Sequence, residues 1–181
     1  MRADAARNRA RVLEVAYETF AADGLSVPID EIARRAGVGA GTVYRHFPTK
    51  EALFQAVIAE RIGSIVEEGR TLLDANPAEG LFDFLRSMVL QWGAKDRGLV
   101  DALAGSGIDV ESVVPEAAGE YMTVLANLLA AAQRAGTARP DVTVAEIKTL
   151  MVGCQAMQSY NDDVAERVTD VVFDGLRAAA R

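Results

Sequence analysis

The sequence predicts an all-α protein of about nine helices, and three observations carry that expectation. Apolar residues recur at i, i+3, i+4 and i+7 along most of the 181 residues, the spacing of amphipathic helices. Cap residues, Pro and Gly punctuate the stripes where helices start and stop. Sustained period-two alternation and Asn-Gly hairpin signals are missing. Half of the residues are apolar, enough for a sizeable core, with no internal repeat or low-complexity tract.

The elements follow in order. Residues 7–23 place Leu13, Ala16, Tyr17 and Phe20 on one face, and Gly24 reads as the C-terminal cap. A short helix spans Pro28 to Ala36, with Ile29, Ile32 and Ala33 inward and Pro28 in its first turn. Gly37 breaks it, and a second short helix runs from about Ala40 to Phe47. Thr49 caps a long helix from Lys50 to about Leu73, striped by Phe54, Ile58, Ile62 and Ile65. Asn76-Pro77-Ala78-Glu79 opens a helix carrying Phe82, Leu85, Val89 and Trp92. Residues 96–115 hold three glycines and a proline, and read as one short helix near 97–104 plus a loop. Residues 116–135 carry Tyr121, Leu125, Leu128 and Ala132, and Gly136 ends that helix before a loop over 137–141. Thr143 with Glu146 forms a capping box before Ile147, Leu150, Met151, Cys154 and Met157. Asp163 with Glu166 forms a similar start before Val164, Val168, Val171 and Val172.

Composition removes several function classes. One cysteine, Cys154, and one histidine, His46, cannot build a disulfide framework or a Cys/His zinc site, so neither metal nor cofactor is expected. A reducing cytoplasm fits this usage best. The basic start lacks the apolar stretch of a signal peptide, and no run of some 18 apolar residues could span a membrane. The net charge of −7 taken alone argues against nucleic acid. Its distribution argues otherwise. Residues 1–50 hold eight Arg/Lys against six Asp/Glu, a net +2, while the remainder holds eleven against twenty, a net −9. That asymmetry points to an anion-binding end on an acidic body.

The decisive stretch is Pro28–Lys50. Two short helices around a Gly-containing turn read as a helix-turn-helix. Ala33 lets the second helix approach closely, and Gly37 supplies the left-handed backbone of a tight turn. Val38, Val43 and Phe47 are spaced to pack inward. That leaves Gly39, Ala40, Gly41, Thr42, Tyr44, Arg45 and His46 as candidates for an exposed, DNA-facing side. The small residues admit close backbone approach. Thr42 and Tyr44 donate to phosphate, Thr42 can instead touch a thymine methyl, and Arg45 pairs with guanine or phosphate. Lys50, with the N–H groups opening the long helix, can hold another phosphate. Arg34 and Arg35 are open between surface charges and phosphate contacts. For His46 a packing or phosphate role outweighs catalysis, because no partner for a site stands near it. Cys154, on an apolar stripe, reads as a buried inert thiol, with redox sensing as the alternative.

Residues Pro28–Phe54 closely resemble the helix-turn-helix of tetracycline-repressor-type (TetR family) regulators. The matching residues are Phe20, Gly24, Ile32-Ala33, Ala36-Gly37-Val38, Thr42-Val43-Tyr44, His46-Phe47, Lys50 and Leu53. Pro28 departs from the pattern where many members carry Thr or Ser. The resemblance implies a DNA-binding domain over residues 1–48 and an effector-binding and dimerisation domain over residues 49–181. It implies a nine-helix homodimer whose first three helices form each DNA-binding head. The last two helices would form a four-helix dimer interface, and helices four to eight an effector pocket. Ligand binding would then shift helix four and release a palindromic operator.

Within that frame, Phe82, Phe84, Met88, Trp92, Tyr121, Met122, Met151, Met157 and Tyr160 recur at helical spacings as core or pocket wall. Gln91, Asn127, Gln155 and Gln158 would orient a ligand or face water. Met88, Trp92, Tyr121, Asn127, Met151 and Gln155 are the candidate ligand contacts, for a small apolar or amphipathic effector. Val164, Val168, Val171 and Val172, with Gly175 allowing close approach, are the candidate dimer face. The chain is expected not to be an enzyme. The alternatives are a helical enzyme or carrier that kept only the fold, and a regulator governed by a protein partner.

Overall fold

Nine α-helices make up the described part of the computed structural model, which comprises residues 2–92, 99 and 109–179. They are α1 (Arg2–Asp23), α2 (Ile29–Ala36), α3 (Ala40–His46), α4 (Lys50–Ala75), α5 (Gly80–Arg86), α6 (Val110–Val113), α7 (Pro115–Ala135), α8 (Val144–Tyr160) and α9 (Asp162–Asp174). A π-helical turn, Ser87–Trp92, continues α5. Extended pairing among the described residues is limited to one bridge between Ala138 and Arg177. The described residues fall into two units, one within Met1–Gly63 and Asp96–Ala118, the other within Ser64–Lys95 and Gly119–Arg181.

In the first unit, Val12, Leu13, Ala16 and Phe20 of α1 close over Ile29, Ile32, Ala33 and Ala36 of α2 and Val43 of α3. Leu53, Phe54, Val57 and Ile58 of α4 and the buried Leu99 and Val114 complete this core. Phe20 and Phe54 meet edge to face, with ring centroids 5.8 Å apart. Gly24 ends α1 at φ 78°, where an L side chain would be strained. Thr49 caps α4 by accepting from the Ala52 N–H at 3.1 Å.

In the second unit, α5 buries Leu81, Phe82, Phe84 and Leu85, and the turn after it buries Met88 and Val89. Helix α7 presents Val124, Leu125, Leu128, Leu129, Ala131 and Ala132 to the same interior. Gly69 of α4 sits where this interior is tightest. A Cβ there would lie 2.4 Å from Val124 Cγ1 and 3.1 Å from Phe84 Cε2, so only glycine fits. Helix α8 contributes Ile147, Met151 and Cys154, and α9 contributes Ala165, Thr169, Phe173 and Leu176 just beyond it. The Thr143–Glu146 capping box forms in full, with the Thr143 N–H donating to the Glu146 carboxylate at 2.8 Å.

Several boundaries differ from expectation. Pro28 stands just outside α2 with extended backbone, its carbonyl accepting from Glu31 and Ile32. Asn76 accepts from the Glu79 N–H as a cap would, at 3.4 Å, but Pro77–Glu79 form a turn and α5 opens at Gly80. The loop expected before residue 115 contains a one-turn helix, α6, because Asp109 caps it through the Glu111 N–H. Pro115 begins α7 instead of preceding it. The Asp163–Glu166 box does not form. Helix α9 starts from Asn161 with no side-chain cap, and Glu166 pairs with Arg86 at 2.6 Å instead. The helix expected near 97–104 lies outside the described residues, apart from Leu99.

Candidate nucleic-acid interface and effector region

The turn between α2 and α3 is set by local chemistry. Gly37 takes φ 69°, and its N–H donates to Arg34 while the Val38 N–H reaches back to the Ala33 carbonyl at 3.1 Å. This pair of bonds satisfies the last carbonyls of α2 and turns the chain sharply. Gly39, in extended backbone, then opens α3, accepting from Thr42 at 2.8 Å.

Helix α3 has one buried side chain, Val43, and Phe47 is buried directly after it. This anchor turns most of the helix outward. Gly39, Gly41, Tyr44, Arg45 and His46 are exposed, and Ala40, Thr42 and Lys50 are half-buried. Tyr44, at 45 % exposure, is the one large apolar residue of the first unit that the described structure leaves open. Among the described residues Arg45 has no ion pair, so its guanidinium is available to a phosphate or a guanine edge.

Arg34 and Arg35 behave differently. Arg34 donates twice to Glu31, at 2.8 and 2.6 Å, and Arg35 donates to Glu31 at 2.8 Å and to Asp23 at 2.6 Å. Hydrogen bonds from Arg34 and then Arg35 hold the Glu31 carboxyl well below its usual range, at about 2. These arginines fasten α2 to itself and to the end of α1. Arg11 is the cation that the sequence pattern did not single out. Its guanidinium lies 3.6 Å from where a Cβ on Gly37 would project, so it covers the turn leading into α3. Only the packing of α1 on α2 and α3 brings it there, and no local motif signals it.

The candidate ligand residues divide. Met88 and Met151 are buried, and Tyr121 and Gln155 are half-buried. The Tyr121 hydroxyl donates to Met151 Sδ at 3.6 Å, and the Tyr121 ring stands 6.2 Å from that of Phe84. Burial pushes the Tyr121 phenol up to about 12. Asn127 does not join them. With positions 124, 125, 128, 129, 131 and 132 buried, residues 123, 127 and 134 fall on the opposite, exposed side of α7. Tyr160 is 92 % exposed and lines no interior. The side chains of Gln91, Trp92 and Gln158 lie outside the described residues. Cys154 is buried, and desolvation raises its thiol, an effect the neighbouring Thr169 hydroxyl offsets only in part.

The candidate dimer residues also resolve into two sets. Ala165, Thr169, Phe173 and Leu176 form the inward stripe of α9. Val164 and Val171 are exposed, the latter at 66 %, while Val168 and Val172 are half-buried at the margin. Gly175 is exposed and follows the helix in right-handed backbone. Leu150 and Val152 of α8 are open as well. A groove of about 550 Å³ runs beside Leu150, lined among others by Thr149, Val172 and Gly175.

No described helix is long and apolar enough to cross a membrane. Among the described residues no three His, Cys, Asp or Glu side chains are placed to hold a metal ion.

Comparison with known proteins returns one family twice. Residues 12–57 match the model described as bacterial regulatory proteins, tetR family, and residues 76–178 match that of the SbtR-like transcriptional regulator C-terminal domain. A crystal structure of a TetR transcription regulatory protein from Mycobacterium vanbaalenii is 60 % identical, with a TM-score of 0.78, covering 98 % of this chain and 99 % of that one. The HTH-type transcriptional regulator UidR of Escherichia coli is 27 % identical over 162 residues, covering 84 % of this chain and 80 % of UidR. The regulator SrpR of Pseudomonas putida is 47 % identical over 60 residues, which is 33 % of this chain and 28 % of SrpR.

Proposed function

The chain belongs to the tetR family of bacterial regulatory proteins and is a DNA-binding transcriptional regulator, and from that premise we propose a homodimeric, cytoplasmic repressor released from a palindromic operator by a small apolar or amphipathic effector. The carrying observation is the outward face of α3, where Val43 and Phe47 anchor the helix and Tyr44, Arg45 and His46 stand free. On this reading Gly39, Ala40, Gly41, Thr42, Tyr44, Arg45, His46 and Lys50 meet DNA. Arg45 reads a base or holds a phosphate, Lys50 holds a phosphate, and the three small residues allow close approach.

Residues 1–48, together with Lys50, serve DNA, and the rest of 49–181 serves effector and dimer. Two-fold symmetry sets the recognition helices about 34–36 Å apart, one DNA turn or a multiple, which is why the operator is a palindrome. The supporting observation for the dimer is that α9 has already filled its inward stripe, and Val164 and Val171 still lack cover. Apolar side chains outside a completed core are stabilised by a second apolar surface. Met88, Trp92, Tyr121, Met151 and Gln155 are the effector contacts. The effector releases DNA only by preferring the conformation that DNA does not. Nothing in this scheme requires a catalytic step.

The test is quantitative binding to DNA upstream of the protein's own gene, at rising salt. Specific binding exceeds that to random duplex by about three orders of magnitude or more, and weakens linearly in log salt as phosphate contacts are lost. Equal binding to random and candidate duplexes, across a fair search of neighbouring promoters, overturns the proposal.

A further inference from the structure

We propose that the effector unit takes an uncharged, largely apolar ligand bearing a hydrogen-bond acceptor, and that the Tyr121 hydroxyl is the group that selects it. This deepens the effector reading above and rests on it.

The Tyr121 hydroxyl is a donor with a poor partner. It is directed at the Met151 thioether sulfur, 3.6 Å away, and a thioether accepts weakly. Burial keeps the phenol protonated far above neutrality, so at physiological pH it offers a proton and no negative charge. A ligand carbonyl or ether oxygen would be a stronger acceptor than sulfur and would displace it without breaking any better bond.

The surroundings decide the ligand's charge and bulk character. Phe84 faces the Tyr121 ring, and Phe84, Met88, Val124 and Met151 are all buried. No acidic or basic side chain among the described residues of this unit is buried. At the surface of α4 and α7, Arg70 pairs with Glu67 and, at 3.2 Å, with Glu120. An ionised ligand entering this interior would lose its hydration and meet no buried countercharge among the described residues. A second polar handle lies one turn along α5. Ser87 Oγ is buried, in a residue 6 % exposed, and has no hydrogen-bond partner among the described residues. It stands where α5 gives way to the π-helical turn, a distortion that recurs at ligand sites. Among the described residues the interior therefore combines an apolar wall and neutral hydroxyls with no buried charge, and discriminates by acceptor geometry.

The experiment uses the full chain without DNA, following thermal unfolding and titration with 2-undecanone, a neutral acceptor, and with undecanoate near pH 8, its anionic counterpart. The wild-type protein should be stabilised by 2-undecanone and left unchanged by undecanoate. Tyr121→Phe, which deletes only the hydroxyl, should bind 2-undecanone about three- to tenfold more weakly, the net worth of one hydrogen bond. Affinity should be flat over roughly pH 6 to 9, since the phenol does not titrate there. Equal stabilisation by undecanoate, unchanged affinity in Tyr121→Phe, or no wild-type response to 2-undecanone would each overturn the proposal. Because no DNA is present, any of these failures leaves operator binding standing, and a failure of operator binding leaves this result intact.

Discussion

The two units of this protein complete themselves differently. Among the described residues of the N-terminal unit a single large apolar side chain, Tyr44, is exposed, and it lies on α3 among polar and small residues. Among the described residues of the C-terminal unit the exposed large apolar side chains are Leu150, Val152, Tyr160, Val164 and Val171, all on α8 and α9. The first unit has closed its core and presents hydrogen-bonding groups and a free guanidinium, a surface suited to a charged partner. The second has closed its core and still carries valines outward, a surface suited to an apolar one. Exposure alone is uninformative. Which residues share the exposed face tells what kind of partner each unit lacks.

The sharpest break of that contrast is Val171→Asp. A carboxylate at an apolar dimer face costs about 3–5 kcal/mol when buried without a partner. The variant should sediment as a folded monomer, and a normal dimer would remove α9 from the interface. Next in size is a matched glycine pair. Gly69→Ala forces a methyl to 2.4 Å from Val124 and should destabilise by about 1–3 kcal/mol in urea unfolding. Gly41→Ala meets nothing within 4 Å in α3 and should stabilise slightly, by about 0.5–1 kcal/mol, while weakening DNA binding by crowding the close approach. Arg45→Ala should cost operator affinity about 1–3 kcal/mol with the melting temperature unchanged, measured by titration against cognate and random duplexes. Loss of stability in that variant would mean that Arg45 holds the fold.

The smallest effect concerns Glu31. Its folded value of about 2 lies below the ordinary 4.5, so its ion pairs stabilise above the unfolded value and that contribution is lost as pH falls from 4.5 towards 2. The stability difference between wild type and Glu31→Gln should be modest near neutrality, because the pairs are exposed, and should vanish across that acidic window. A difference that grows on acidification would reverse the assignment.

Much of the molecule was legible residue by residue. Gly24 and Gly37 were expected to end helices and do so with left-handed backbone. Thr143 was expected to cap with Glu146 and does. These are short-range effects, decided within one turn of chain. Asp163 carried the same signature and failed, because Arg86, distant in sequence, draws Glu166 and Asp170 into ion pairs. Asn127 and Tyr160 face outward for a different reason. Asn127 falls between the buried positions of α7, and Tyr160 is the last residue of α8, where nothing described packs over it.

The sequence by itself determined the all-α architecture, the turn at Gly37 and the outward set on α3, because caps, left-handed glycines and helical periodicity act between residues a few positions apart. The tertiary structure decided which of two apolar faces of α9 turns inward, that Arg11 covers the turn, and that the Tyr121 hydroxyl meets a sulfur. Each of these depends on what a distant helix brings alongside, and no local pattern encodes the identity of that neighbour.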